Sequence, residues 1–366
     1  MRSTIPRSLA FLVVASCSST TKEPGFFDSD AAAGVDAGRG PDGGFVGDDG
    51  SVGQLGGDGA VADGAADPGL TLLYAHDNVN LYKVDPNDPK LGTTLVGKFD
   101  CIGGPSGPSS MTDLAIDKDG KLYGVAPQTV FLDMKVNGAT VACKAGARPL
   151  SGGDAGSRAK FYGASFVPPG ALDPANETLT VGNTDGEIYK VDTATGALTL
   201  VGSFGNVPPN DGPPGHTYAA ANVGKPWEMS GDIVFLANGG TPVGFATVRD
   251  CPNPPATTGC NPIDTLIEID LTKLSATSPG VVTKAVRGQI VKSASCADTA
   301  HTGYGSMFGI AAYKSDIIGF SHDGFVVKID NNKGAACLVA DDSATLKFDG
   351  AGVTTRAPVV APPPPN

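Results

Sequence analysis

Two short runs in this chain pair an imidazole with a carboxylate, His76-Asp77-Asn78 and His322-Asp323-Gly324. Imidazole and carboxylate oxygens together suit a divalent ion such as calcium or zinc. The plainer reading is that Asp-Asn and Asp-Gly are good turn formers, and on that reading, which we favour, no cofactor is expected. Asp117 and Asp119 divide the same way, between a calcium ligand pair and a hairpin turn, with the turn preferred. The other two histidines are His216 and His301. No Gly-x-Ser-x-Gly, His-Glu-x-x-His, Gly-x-Gly-x-x-Gly or phosphate-loop pattern occurs. Ser321-His322-Asp323-Gly324 approaches a sialidase-type Asp box but lacks its spacing and its Trp.

The seven cysteines carry a different chemistry. Arg2 and Arg7 precede the apolar run Leu9-Ala10-Phe11-Leu12-Val13-Val14-Ala15, a secretory signal pattern too short to span a bilayer of roughly 30 Å. It ends in Val14-Ala15-Ser16-Cys17, which resembles the lipobox of bacterial lipoproteins. That resemblance implies a signal peptide over 1–16, cleavage before Cys17 and acylation of Cys17, hence a stable membrane anchor in the cell envelope. Ser18 is similar to the outer-membrane sorting pattern and leaves the periplasmic or surface-facing side open. The remaining six, Cys101, Cys143, Cys251, Cys260, Cys296 and Cys337, form an even set in an exported chain without Cys-x-x-Cys, which points to disulfides.

The 366-residue chain that must carry these residues holds 51 Gly and 29 Pro, and the excess is uneven. Residues 17–69 are Gly-, Asp- and Ala-rich without apolar periodicity, so they cannot bury enough surface to offset the cost of ordering. We expect a disordered tether with an average span of roughly 40 Å and an extended reach of about 170 Å. The formal charge of -12 argues against nucleic acid as a partner. Much of it belongs to the tether, where 18–69 holds 10 acids and two bases.

From residue 70 the texture changes to short β-branched strands separated by turns. Leu81-Tyr82-Lys83-Val84-Asp85 recurs as Ile188-Tyr189-Lys190-Val191-Asp192, Leu266-Ile267-Glu268-Ile269-Asp270 and Val326-Val327-Lys328-Ile329-Asp330, with a degenerate copy at Val130-Phe131-Leu132-Asp133. The five Asp positions lie 48, 59, 78 and 60 residues apart, about one four-stranded blade each with variable loops. These repeats resemble those of bacterial β-propeller families, which implies an all-β propeller over 70–356. Five four-stranded blades fit best, with six or seven as alternatives. Blade one lacks a first strand, which Gly352-Val353-Thr354-Thr355 can supply, closing the ring. Residues 357–366 read as a proline-rich disordered tail.

The repeat also pairs the cysteines. Cys101 with Cys143 and Cys296 with Cys337 occupy equivalent places in two blades, at separations of 42 and 41, which leaves Cys251 for Cys260. In a propeller, turns between strands two and three and connections between blades share one face. That face would collect His76, Asp77, Asn183, Asp185, His216, His301, His322 and Asp323, together with the longest insertions, and long loops on a rigid scaffold are where binding is placed. Trp227 divides between an exposed binding aromatic and a buried wedge between blades, with the wedge preferred. The expected function is a monomeric, lipid-anchored binding module for an unknown protein or glycan. The alternatives are an envelope hydrolase or lyase with a metal or carboxylate site on that face, and a structural surface protein.

Overall fold

The computed structural model describes residues 72–357 apart from 105–106, 153–159, 212–214, 238–241, 253, 255, 257 and 315. The signal, Cys17, the tether and the tail from 358 lie outside the described residues. Apart from two three-residue 3-10 turns, Lys144–Gly146 and Leu271–Lys273, the regular elements among the described residues are strands. In chain order they are β1 (Leu73–His76), β2 (Asn80–Val84), β3 (Thr93–Phe99), β4 (Asp113–Ile116), β5 (Leu122–Ala126), β6 (Thr129–Asn137), β7 (Thr140–Ala142) and β8 (Ala147–Pro149). There follow β9 (Phe161–Val167), β10 (Thr178–Asn183), β11 (Glu187–Val191), β12 (Leu198–Ser203), β13 (Trp227–Leu236), β14 (Val243–Asp250), β15 (Thr265–Ile269) and β16 (Thr283–Gln289). The last are β17 (Met307–Tyr313), β18 (Asp316–Ser321), β19 (Phe325–Asp330), β20 (Ala336–Asp341) and β21 (Gly350–Val353).

Three of the sheets are four-stranded antiparallel meanders, β9 to β12, β13 to β16 and β17 to β20. The fourth runs β21-β1-β2-β3-β7-β6-β5-β4, with β8 on β6; the pair β3 and β7 is parallel and joins two further four-stranded groups. The leading strands touch in a closed circuit: β4 packs on β9, β9 on β13, β13 on β17, β17 on β21, and β21 on β4. A cyclic array of meanders sharing their first strands around an axis is a β-propeller. Both faces of each meander are covered by neighbours, so β13 is buried along its whole length and apolar clusters fill the wedges between sheets. One joins Val234, Phe245 and Leu266 to Ile310, Phe320 and Val326; another joins Ile188 and Val201 to Trp227, Ile233 and Ile267.

The ring closes through the C-terminus, as the missing first strand requires. β21 pairs antiparallel with β1 from Leu73 opposite Val353 to His76 opposite Gly350, two residues earlier than the expected start at Gly352. The repeated Asp after each strand starts a turn by accepting the N–H two residues on: Asp85 from Asn87, Asp192 from Ala194, Asp270 from Thr272 and Asp330 from Asn332. Asp133 departs from this rule. It takes a positive φ of 48° inside β6, the register slips there, and the strand continues to Asn137. The first half of β6 then pairs with β8 and the second with β7, so the outer edge of this sheet is split between two strands.

All three disulfides pair as the repeat predicts: Cys101 with Cys143, Cys251 with Cys260 and Cys296 with Cys337. The first sits where β7 meets β3, and the third ties the connection ahead of β17 to β20.

Candidate binding face and hub

The strand registers define one end of the ring. His76 at the end of β1 lies opposite Gly350 at the start of β21, Asn183 lies opposite Phe161, and Ser321 lies opposite Met307. The starts of the leading strands and the turns between second and third strands therefore emerge together, along with the connections between sheets. The four histidines are on this side of the topology, but each is engaged separately.

His76 is fully buried, its Nδ1 lies 2.8 Å from the Asp77 carbonyl, and its ring meets Phe99 edge-on. A carbonyl only accepts, so Nδ1 carries the proton and Nε2 presents a lone pair, which has no hydrogen-bond partner. Burial, the largest influence, lowers its pKa. His216 Nδ1 is 2.9 Å from Asp211 Oδ1, and His301 Nδ1 is 2.9 Å from Asp298 Oδ2. The Tyr304 hydroxyl also donates to Asp298, and together these contacts hold that carboxyl at about 2. His322 Nδ1 lies 3.0 Å from Asp349 Oδ1, an ion-pair contact that raises the imidazole pKa.

The expected carboxylates are turn builders. Asp77 accepts from the Val79 and Asn80 N–H groups, the Asn80 amide and the Tyr82 hydroxyl. Burial alone would raise its pKa, but these donors outweigh it and the net shift is downward. Asn183 is buried and accepts from the Asp185 and Glu187 N–H groups while its amide donates to Glu187. Asp117 likewise accepts from the Asp119 and Lys121 N–H groups. Asp323 is exposed, and its N–H donates to the Ser321 hydroxyl. Among the described residues the only close groups of three His, Cys, Asp or Glu ligand atoms are Asp100 with Cys101 and Cys143, and Glu228 with Cys251 and Cys260. Both contain disulfide sulfurs rather than thiolates, and the imagined set of His76, Asp77, His322 and Asp323 does not converge.

Sequence reasoning missed what lies at the centre. Asp113 on β4 and Asp232 on β13 are fully buried, and their carboxyl groups lie against each other. Asp113 accepts the Ala164 N–H of β9 at 2.6 Å, the Ala351 N–H of β21 at 3.2 Å and the Leu114 N–H of its own strand. Asp232 accepts the Ile310 N–H of β17 at 2.7 Å and the Ile233 N–H of β13. Two carboxyl groups thus gather one amide from every leading strand. Burial first, and then for Asp113 the neighbouring carboxylate, push both pKa values well above the usual range. Asp264 repeats the device beside them: it is fully buried, accepts from the Ser230 hydroxyl and the Met307 N–H, and burial lifts its pKa to about 6. A single acid at the head of a short apolar run, Asp113-Leu114-Ala115-Ile116 and Asp232-Ile233-Val234-Phe235, is the sequence signal of these positions.

Above the hub stands a row of half-buried rings. Tyr162 of β9 faces Phe308 of β17 at 6.4 Å between centroids, and Phe308 faces His322 at 5.1 Å. Gly231 lets β17 come this close, since a side chain there would strike the Met307 carbonyl and the Phe308 backbone. Trp227, by contrast, is buried edge-on to Tyr218, the wedge its composition suggested.

No family model matches this chain, and no curated protein does. Among solved structures it is similar to that of U3-55K (13% identity, 73% of this chain and 59% of that chain, TM-score 0.32). Similarity also extends to the Dos1 propeller (11% identity, 72% and 56%, TM-score 0.33) and to a protein of unknown function from Bacteroides caccae (9% identity, 77% and 98%, TM-score 0.32). The chain spans about three-fifths of the length of the first of these.

Proposed function

We propose that this chain is a five-bladed β-propeller held to the cell envelope through an acylated Cys17, and that it binds an envelope protein or glycan through the ring end bearing Tyr162, Phe308 and His322. Five blades are supported by the circuit of β4, β9, β13, β17 and β21, each at the inner edge of a four-stranded group, that of β21 being completed by β1, β2 and β3. The anchor follows from the lipobox resemblance, with the outer membrane as its destination and the chain as a monomer. The aromatic row carries the binding reading: the partly open rings of Tyr162 and Phe308 offer apolar faces beside the His322 imidazole and the Asp349 carboxylate, the mix typical of recognition sites.

The hydrolase alternative gains nothing from the hub. Paired glycosidase carboxylates stand about 5 Å or more apart to admit a sugar, whereas Asp113 and Asp232 touch each other and are spent on backbone N–H groups. The test is a glycan array and a cross-linking pull-down with the wild type and the double variant Tyr162→Ala, Phe308→Ala. Binding present in the wild type and lost in the variant supports the reading; binding equal in both refutes this site. For the anchor, fatty-acid labelling that survives Cys17→Ser would refute lipidation at Cys17.

A further inference from the structure

The strand that closes the ring enters between His76 and the hub carboxyl Asp113. Gly350, the first residue of β21, lies against both the His76 imidazole and the Asp113 carboxyl, and a side chain there would strike His76 Nε2 and Asp113 Oδ1. Around it, the Asp349 N–H donates to the His76 carbonyl at 2.8 Å and the Ala351 N–H donates to Asp113. One of the two contacts that hold β21 thus ends on the carboxyl group that meets Asp232.

We propose that the Asp113 and Asp232 pair is a proton-operated latch on the closing strand: with one proton shared, the pair holds Ala351 and β21 in the ring, and loss of that proton releases them. Two ionised carboxylates in contact repel each other. β9, β17 and β21 meet the pair with backbone N–H groups. β1 brings His76, whose Nε2 faces the Gly350 notch. The residue before β21 brings Asp349, already against His322. Asp264, ahead of β15, is taken up by Ser230 and Met307.

The sign follows from linkage. Both aspartates have raised pKa values in the closed ring, so above the ordinary Asp value of about 3.9 opening releases a proton, and closure weakens as pH rises. His76 has a lowered pKa, so below its ordinary value of about 6.5 opening takes up a proton, and closure weakens as pH falls. Between these values the two slopes oppose. Above about pH 6.5 only the carboxyl slope remains, at most about tenfold in the opening equilibrium per pH unit and ending where the pair ionises in the closed ring.

Hydrogen exchange of the full chain, followed by mass spectrometry on peptides covering 350–354 and corrected for intrinsic rates, tests this from pH 5 to 8. The expected wild-type protection is level to about pH 6.5 and then falls by up to about tenfold per unit. In His76→Gln the fall extends to lower pH, and in Asp113→Asn or Asp232→Asn, where an amide stands in for the protonated carboxyl, it becomes shallower. Wild-type protection at 350–354 that stays level throughout overturns the proposal without any variant. An equal fall in β10 and β11, or an unchanged fall in whichever Asn variant folds, overturns it too.

Discussion

The rim and the hub of this ring satisfy polar groups in opposite ways. On the rim, partners are local: Asp77 works with Val79, Asn80 and Tyr82, Asn183 with Glu187, His216 with Asp211, and His301 with Asp298. At the hub, Asp113 reaches Ala164 and Ala351, separated from it by 51 and 238 residues, and Asp232 reaches Ile310 across 78. Rim groups build turns that would form in any sheet, whereas hub groups exist only once every leading strand is in place. The difference teaches that His216, His301 and the Asp turns mark scaffold here, and that the unadvertised acids hold the ring together.

The contrast is broken most forcefully at the hub. Asp113→Ala leaves the buried Asp232 without its proton partner and several amides without an acceptor, and we expect a loss of about 3–5 kcal/mol in urea unfolding; a loss near zero would mean that the hub pair is dispensable. Next come the disulfides. Replacing Cys101 and Cys143, or Cys296 and Cys337, by Ala removes long closures worth roughly 4 kcal/mol in the loop-entropy model, and replacing Cys251 and Cys260 a short one worth under about 3 kcal/mol. The two long pairs should therefore cost more than the short one in thermal unfolding, and the reverse order would place their role elsewhere. The rim is last. Asp77→Ala should cost about 1 kcal/mol through its turn, and His216→Ala less than about 0.5 kcal/mol. A rim histidine that costs as much as Asp113 would erase the distinction.

The same contrast explains what could be read beforehand. The repeated strand with its terminal Asp, the missing first strand of blade one and the equivalent placement of two cysteine pairs are local or periodic signals, and they forecast the meanders, the closure by the C-terminal strand and the three disulfides. Asp133 looked like another repeat Asp, and only its left-handed backbone, forced where β6 turns from β8 to β7, shows why that copy is degenerate. The hub was illegible because an acid at the head of an apolar run looks like any strand start until strands from five places in the chain converge on it. Likewise Tyr162 and Phe308 lie 146 residues apart, and nothing in either neighbourhood announces the other.

One shared proton at the centre of the ring is the claim on which the rest depends, and a double-mutant cycle reads it directly. Asp113→Asn, Asp232→Asn and the double variant are compared by urea unfolding at pH 7. A shared-proton pair predicts that the double variant loses less than the sum of the singles, with a coupling energy of about 1–3 kcal/mol. Additivity within about 0.5 kcal/mol would contradict it, leaving two independent buried acids in place of one latch.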